Sequence, residues 1–579
     1  MSSPVGTVDK KPPVAGRRLL QGLRLLPLAI PIAILAVLTL YPVLMLLYGS
    51  VRDAPPGGGG SFSLDGWIDA FSNPRTYSTF KTSFGLGLFA TLSSVSVGCA
   101  MAWLVTRTDL PVRGFFERVM IYAVFIPAVV SAIAWSVLAN PRVGVLNQAI
   151  GGLLGRDVQA INIYSFWGLV FQYTTVFAPL VFLLVLGPFK SMDGSLEEAS
   201  RTCGATLGGT ARRITFPLMG AAIMGSAVLV FVRVLESFEI PQILGRPAGI
   251  QVFMTRIYSA TRLSVVPDYS QATVLGVIVL LTTFALVGLQ ILYVSRRSFV
   301  TVGGKAFRPS VAPLGRWRWP ITAIVVVYLL VTVALPTIQI FLASFQRVTG
   351  LYGKDNWTLD GWRYVLGQEW FWPTVLRTIG YAALAGFVTM VITTIVSYVV
   401  VRSRSRWGRA LELLTWLPWA LPGLVLALGI LWGYSDLPGE VSLYGTVLIM
   451  LIAYVTIGLP LGARAMMGGL MQLSPELEEA ARLHGAGRIR AFLTVVFPLV
   501  RQTFFFGFTV SFVLISREVG ASLLLYAPGR EVLSIEILGA WTDGQAIVAL
   551  VLSCVLILMA ALIIALERLT AKLFPTGLE

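Results

Sequence analysis

Residues 476–498 read ELEEAARLHGAGRIRAFLTVVFP, and residues 195–217 read SLEEASRTCGATLGGTARRITFP. The two stretches lie 281 positions apart, and each is flanked by long apolar runs. Self-similarity at a fixed offset is typical of a repeated structural unit. This pair of segments therefore predicts a chain built from two copies of one unit, each with a polar segment near its end.

The composition indicates a membrane protein. Of 579 residues, 56% are hydrophobic and only 12% are charged, whereas a soluble domain has about 25% charged residues. The formal net charge of +16 is typical of Lys and Arg retained on cytoplasmic loops, and we expect no nucleic-acid partner. The three cysteines have no metal-ligand spacing and His484 is the single histidine, so we expect no metal site.

Apolar runs without charge predict the membrane spans. A bilayer core of about 30 Å needs about 20 helical residues, and backbone groups in lipid must be paired within the helix. We therefore predict an all-α membrane protein with about twelve transmembrane helices. The runs are 25–51, 82–106, 119–141, 158–189, 214–232, 269–295, 319–346, 378–401, 413–435, 441–463, 491–516 (interrupted by Arg501) and 544–566.

The distribution of Lys and Arg predicts the orientation. Basic clusters, such as the four arginines within 402–409, lie in every second loop, whereas the opposite side has the Gly-rich stretch 53–67. Because cytoplasmic loops carry the excess of Lys and Arg, both termini are predicted inside. The apolar run at 25–51 is too long for a cleavable signal.

Further repeats define the domain organisation. SLDGW at 63–67 returns as TLDGW at 358–362, and AWLVTR at 102–107 aligns with SYVVVR at 397–402, both at an offset of 295. Two parallel six-helix repeats follow, the first with a longer outside loop after its third helix. The predicted divisions are a basic cytoplasmic tail (1–24), a first unit (25–295), a cytoplasmic linker (296–318) and a second unit (319–579).

Each polar segment predicts a short helix, a break and a second helix. Ser195 is the expected N-cap in the first copy, with Glu198 at the capping-box spacing, and Ser474 is the expected N-cap in the second. Gly204 and Gly485 mark the break, because glycine bends the backbone at little cost. A short helix that protrudes from the membrane suits a groove on a partner.

These residues resemble the coupling-loop motif of binding-protein-dependent ABC importer permeases. Departures from that motif are Ser200 for the second alanine, Val495 for isoleucine, and phenylalanine for leucine before the final proline of each copy. The resemblance implies docking of each segment on an ATP-hydrolysing subunit, and ordinary amphipathic connectors are the alternative. The positions that carry it are Glu198, Ala199, Gly204, Pro217, Glu479, Ala480, Ala481, Gly485 and Pro498.

The resemblance also implies the partners. They are two copies of an ABC ATPase subunit, an extracytoplasmic solute-binding protein and membrane lipid, around a multi-pass permease of the bacterial inner membrane. The sequence has no Gly-Lys-Ser or Gly-Lys-Thr, and hence no phosphate-cradling loop. We expect a permease that is not itself an enzyme and has no cofactor, with ATP hydrolysis on a separate subunit.

Charged residues near the ends of two spans suggest a substrate path. They are Arg233, Glu236, Glu239, Arg517 and Glu518, and an offset of 282 aligns Glu236 with Glu518. Charges inside spans usually line a polar path or pair with one another. Structural Arg–Glu contacts at the membrane boundary are the alternative, and nearby Pro and Gly predict a helix break at both places.

The fused architecture and ESFEIPQILG at 236–245 resemble ferric-iron-type permeases, which implies ferric iron as cargo. Thiamine, aminoethylphosphonate or another small solute are the alternatives within the same family. Segments 247–258 and 528–538 resemble its short extracytoplasmic helix, part of the dock for a substrate-delivering protein, and a snorkelling surface helix is the alternative. An ion-coupled secondary transporter, also built from two six-helix halves, is the alternative from another class.

Overall fold

The computed structural model describes residues 29–155, 159–295, 311–402, 406–435 and 442–573, and these ranges fold into helices joined by loops. The predicted basic tail at 1–24, most of the predicted linker and the turn at 436–440 lie outside the described residues. Within the described ranges, extended pairing is limited to three isolated bridges. The predicted all-α class is confirmed.

Nine helices in the described part of the chain are long and apolar enough to span a membrane, and three bent pairs raise the number to twelve if each pair counts as one span. Each of these twelve coincides with one of the predicted apolar runs, and we number them as spans. They are span 1 (Ala29–Gly49), span 2 (Pro74–Arg107), span 3 (Arg113–Ala123 and Ala128–Leu138), span 4 (Phe166–Ser191), span 5 (Leu207–Leu218 and Gly220–Glu236), span 6 (Tyr269–Leu292), span 7 (Gly315–Ser344), span 8 (Phe371–Arg402), span 9 (Trp407–Ala420 and Gly423–Tyr434), span 10 (Val447–Met471), span 11 (Arg488–Ser516) and span 12 (Ala546–Glu567).

The third span of each half is sharply broken. The two parts of span 3 meet at 103° and those of span 9 at 111°. Pro127 and Pro422 occupy the N-cap of the second part in each case, in an extended conformation. Proline lacks the N–H that a continuing helix needs and disfavours the helical conformation of the preceding residue. In span 3 the break frees the Val124 and Ile126 carbonyls to accept hydrogen bonds from outside the helix.

The first span of each half packs against the third span of the other half. Span 1 lies on the second part of span 9, where Tyr41 donates a hydrogen bond to the Gly433 carbonyl (2.8 Å) and Tyr434 donates to the Val37 carbonyl (3.0 Å). Span 7 lies on the second part of span 3 in the same way. The two repeats are therefore interleaved rather than placed side by side.

The repeated Asp-Gly-Trp element closes each half on its outer surface. Short helices at Asp65–Ser72 and Asp360–Leu366 rest on spans 6 and 12, respectively. A Cβ at Gly361 would lie 2.5 Å from the Ile547 side chain, and one at Gly66 would collide with the Ser270 hydroxyl. Glycine recurs at this position because the helix backbone directly contacts the last span.

Candidate functional site

The two polar segments form short helices at Ser195–Thr202 and Glu476–Leu483. The prediction of Ser195 as N-cap is wrong. Gly194 occupies that position, and the Ser195 amide and hydroxyl donate hydrogen bonds to the Asp193 carboxylate (3.0 and 2.9 Å). Asp193 thus supplies the cap, and these two bonds hold the pKa of its carboxyl below its ordinary value.

The first helix thus begins one residue earlier than predicted, whereas the helix in the second copy begins one residue later. Pro475 is the N-cap, and the Ser474 hydroxyl accepts a hydrogen bond from the Glu476 amide (3.3 Å). The serine still satisfies one free N–H of the first turn, as an N-cap side chain does. The predicted chemistry is present at a position shifted by one residue.

Both segments turn at a glycine in the left-handed region. Gly204 and Gly485 have the same φ of +86°, and short helices at Leu207–Thr210 and Arg488–Ala491 follow them into spans 5 and 11. In the described part of the chain, no non-neighbouring heavy atom lies within 4 Å of a Cβ built at either glycine. The predicted helix, break and second helix are therefore present in both copies, and the backbone conformation rather than crowding requires glycine.

The positions that carry the motif are open to the surroundings. All of them are exposed except Ala481, which is half-buried. The second segment also exposes apolar side chains, with Leu483 88% exposed and Ile489 78% exposed. The arrangement is that of a contact surface which the described residues leave uncovered.

The inner face of each polar helix is held by an ion pair that sequence reasoning missed. In the first half, Arg107 at the end of span 2 contacts Glu197 (3.5 Å), and both side chains are buried. The second Glu197 oxygen accepts a hydrogen bond from the Thr215 hydroxyl (2.5 Å). Arg107 also donates to the carbonyls of Phe189 and Met192 at the end of span 4 (2.6 Å each).

The second half repeats this arrangement. Arg402 at the end of span 8 contacts Glu478 (3.6 Å) and donates to the Leu473 carbonyl (3.4 Å). The other Glu478 oxygen accepts a hydrogen bond from the Tyr398 hydroxyl (2.6 Å). The sequence contained a signal, because the two arginines are 295 residues apart and the two glutamates are 281 residues apart, as the other repeated residues are. Only the tertiary fold, however, places each arginine next to its glutamate.

The charged residues at the ends of spans 5 and 11 form one cluster in the interior. Span 5 ends at Glu236, and span 11 ends at Ser516, so the predicted breaks are present. Arg233 pairs with Glu236 (3.1 Å), with side chains 37% and 5% exposed. Arg517 donates to the Val124 and Ile126 carbonyls (3.1 and 3.3 Å), which the break in span 3 has freed.

Carboxylates from both halves meet in this cluster. Glu239 interacts electrostatically with Arg517 and Glu518, and Glu236 interacts with Glu518. Glu236 Oε1 has no hydrogen-bond partner among the described residues. The structure thus brings all five predicted path residues together, with three carboxylates and two guanidinium groups. Within the described ranges, no group of His, Cys, Asp and Glu has a metal-binding arrangement.

Each of the two segments predicted as extracytoplasmic docking helices contains a largely buried helix. These helices are Phe253–Tyr258 and Leu533–Thr542, and Met254, Ile257 and Ile537 are fully enclosed. Residues 247–249 and 528–530, at the start of each segment, are exposed, and the docking role stays a prediction.

Comparison with known proteins relates both halves to one family. The profile described as "binding-protein-dependent transport system inner membrane component" matches residues 94–300 and 390–574. The chain is similar to the ferric transport system permease protein of Actinobacillus pleuropneumoniae, with 31% identity over 69% of this chain and 58% of that protein. The chain thus spans less than two thirds of that relative's length.

Two other relatives are similar over different shares of their length. A probable ABC transporter permease protein of Sinorhizobium fredii is 27% identical over 84% of this chain and 86% of its own length. A putative 2-aminoethylphosphonate transport system permease protein of Salmonella typhi is 24% identical over 47% of this chain and 92% of its own length.

Proposed function

The chain belongs to the family of inner membrane components of binding-protein-dependent transport systems, and from this premise we propose that it is the membrane permease of an ATP-driven importer. The predicted multi-pass inner-membrane location is confirmed by that family and by the apolar spans. We propose further that separate ATPase subunits drive it through the two polar segments, which we now call the first and second coupling segments.

The observation that carries this proposal is the pair of coupling segments. Each presents an exposed Glu-Ala helix and a left-handed glycine next to the span that leads into the interior cluster. A protruding amphipathic helix is suited to a groove on another protein. Two such helices, one from each half, match two copies of one ATPase subunit, and we place them and both termini on the cytoplasmic side.

We propose that the cargo passes between the halves at the interior cluster. Arg233, Glu236, Glu239, Arg517 and Glu518 come from both halves and lie beside the breaks in spans 3 and 9. Glu518 abuts the start of the second part of span 9, where a Cβ on Gly423 would lie 2.6 Å from its carboxylate. Rocking of the halves between inward- and outward-facing states would open and close this point, as in other transporters with two bistable halves.

Ferric iron delivered by an extracytoplasmic solute-binding protein is the proposed cargo. The name of the Actinobacillus relative and the excess of carboxylates over guanidinium groups in the cluster support a cation. Aminoethylphosphonate is the second candidate, favoured by the similarity to the Salmonella protein, and thiamine or another small solute would fit the same architecture.

Charge reversal at the coupling segment tests the proposal. Replacing Glu479→Lys should abolish uptake into proteoliposomes and the co-purification of an ATPase, while the chain remains in the membrane. Glu369→Lys is the control, because Glu369 is also exposed but lies just before span 8, at the end opposite to Arg402 and the second coupling segment. Normal uptake by the Glu479 variant, or uptake by the purified chain with no ATPase attached, would overturn the proposal.

A further inference from the structure

We propose that two ion pairs fasten each coupling helix to the second span of its half and thereby transmit the movement of the motor to that span. They are Arg107–Glu197, which is buried, and Arg402–Glu478, whose side chains are 17% and 11% exposed. The four residues are positioning residues for transport, since they act through the helix that they hold. This inference rests on the proposed function, because it assigns a role to the inner face of the same coupling segments.

The chain path alone does not connect the coupling helices to spans 2 and 8. The first coupling helix lies between spans 4 and 5 in sequence, and the second lies between spans 10 and 11. The ion pairs add the missing attachment, because Arg107 and Arg402 are the last residues of spans 2 and 8. These two spans are the longest helices described, with 34 and 32 residues.

Each arginine joins three parts of its half at one point. It contacts the buried glutamate of the coupling helix and a carbonyl just before that helix, at Met192 in one half and Leu473 in the other. In the first half, the Arg107 carbonyl also accepts a hydrogen bond from Ala312 (2.9 Å), on the strand-like segment that precedes span 7. A push on the coupling helix must therefore move the end of the second span with it.

The two halves satisfy the buried glutamate with different hydroxyl groups. The first half uses Thr215 from the start of span 5, and the second half uses Tyr398 from span 8. At the matching positions the repeats have Trp103 instead of tyrosine and Val496 instead of threonine. A buried carboxylate oxygen without a hydrogen-bond donor destabilises the folded chain. Each half avoids this destabilisation by supplying one hydroxyl donor to its glutamate. This reciprocal exchange indicates that the bonded carboxylate itself is required.

Loss of one partner should uncouple the motor rather than unfold the chain. Replacing Glu478→Gln in the complete transporter removes the carboxylate charge but keeps the shape of the side chain. The partly buried Arg402 then loses its ion-pair partner and holds the coupling helix less firmly. We expect uptake to fall by roughly 5- to 150-fold, the usual range for energetic coupling between sites, while ATP hydrolysis continues. The number of ATP molecules hydrolysed per solute transported should therefore rise, which a general folding defect would not cause.

Glu117→Gln is the matched control. Glu117 forms an ion pair with Lys190 (2.6 Å) near the same end of the bundle, but Lys190 is half exposed and Glu117 is 24% exposed. Exposed pairs contribute little, so the control should keep the ATP-to-solute ratio of the unchanged protein. A raised ratio in this control as well would mean that any lost ion pair has the effect, and the inference would fall.

Hydroxyl exchange provides a second, independent variant. Tyr398→Trp alone should raise the ATP-to-solute ratio, because it removes the donor to Glu478. Adding Val496→Thr to it recreates the arrangement of the first half and should restore the ratio. If Tyr398→Trp raises the ATP-to-solute ratio and the double variant does not restore it, then Tyr398 acts by packing rather than by its hydrogen bond.

Spin labels can report the attachment directly. The native cysteines are first replaced, and spin labels are attached at Glu476→Cys and Ile395→Cys. With the ion pair intact, the distance between the two labels should stay the same through the ATP cycle. In the Glu478→Gln variant, several label-to-label distances should appear. One constant distance in both proteins, with an unchanged ATP-to-solute ratio, would overturn the inference but leave the ATPase-driven importer intact. Failure of the unchanged chain to bind any ATPase would instead overturn the proposed function.

Discussion

At the residue scale, Gly485 shows how the backbone limits the choice of side chain. Its φ of +86° lies in the left-handed region, which costs other L-residues about 1–2 kcal/mol. The space around it is open, so the restriction comes from the main chain alone. Two residues on, Gly487 has an ordinary φ of −65° and has equally open space. One glycine is required, and the other is not.

Gly485→Ala should therefore impair uptake and Gly487→Ala should not. The first substitution strains the turn by about 1–2 kcal/mol, which shifts the coupling helix relative to span 11. Gly485→Asn should be milder, because asparagine tolerates the left-handed conformation better than alanine. Uptake by the three variants in proteoliposomes measures this order, and equal uptake by the alanine variants would contradict the role of the backbone.

The residue scale also shows what the sequence could reveal about the site. The exposed motif positions were found because they repeat at one offset. Glu197 and Glu478 repeat at the same offset but were passed over, since nothing in a linear pattern tells an inward-facing glutamate from an outward-facing one. Their arginine partners, Arg107 and Arg402, lie in the preceding spans 2 and 8, and only packing of those spans beside the coupling helices brings them into contact.

At the scale of elements, the two coupling segments differ in their exposed tips. The second segment presents Leu483 and Ile489, which are 88% and 78% exposed. The first segment has Thr202 and Gly208 at the matching positions. Burial of apolar surface is worth roughly 25 cal/mol per Å², so the second tip can contribute more to docking. Two identical ATPase subunits would then hold the chain unequally.

Leu483→Thr should consequently weaken ATPase binding more than any polar change at the first tip. The loss of a well-buried leucine side chain at an interface is expected to cost about 1.5–3 kcal/mol, or roughly a tenfold or greater weakening. Thr202→Leu, the reciprocal change, should strengthen binding. Titration of the purified permease with its ATPase measures both, and an unchanged affinity in Leu483→Thr would show that the tip stays outside the interface.

The elements also separate what hydropathy predicts from what it cannot. The apolar runs at 119–141 and 413–435 located spans 3 and 9, because a bilayer imposes their length and composition. The bends of 103° and 111° were not foreseen, since a charge-free run has the same hydropathy whether straight or broken. Pro127 and Pro422 were the available signal, but the sequence alone does not show that the break at Pro127 frees the carbonyls that accept hydrogen bonds from Arg517.

At the scale of the whole molecule, the interleaving of the first spans makes the two halves one body. The sequence repeats predicted two units. They could not show that spans 1 and 7 pack on the opposite unit, because the order of helices along the chain does not determine which helices are in contact. The crossing of span 1 with span 9 depends on close backbone approach. A Cβ at Gly429 would collide with the Pro42 carbonyl, whereas one at Gly380 on span 8 would meet nothing within 4 Å in the described part of the chain.

Division of the chain within the predicted linker tests this arrangement. Co-expressed fragments 1–302 and 303–579 should co-purify, since spans 1 and 7 each bury their inner faces against the other fragment. Gly429→Ala should reduce recovery of the pair, because overpacking at a helix crossing costs about 1–3 kcal/mol, and Gly380→Ala should leave it unchanged. Equal recovery of the fragment pair in both variants would mean that other contacts hold the halves together. The contact between spans 1 and 9 would then not be needed for association of the halves.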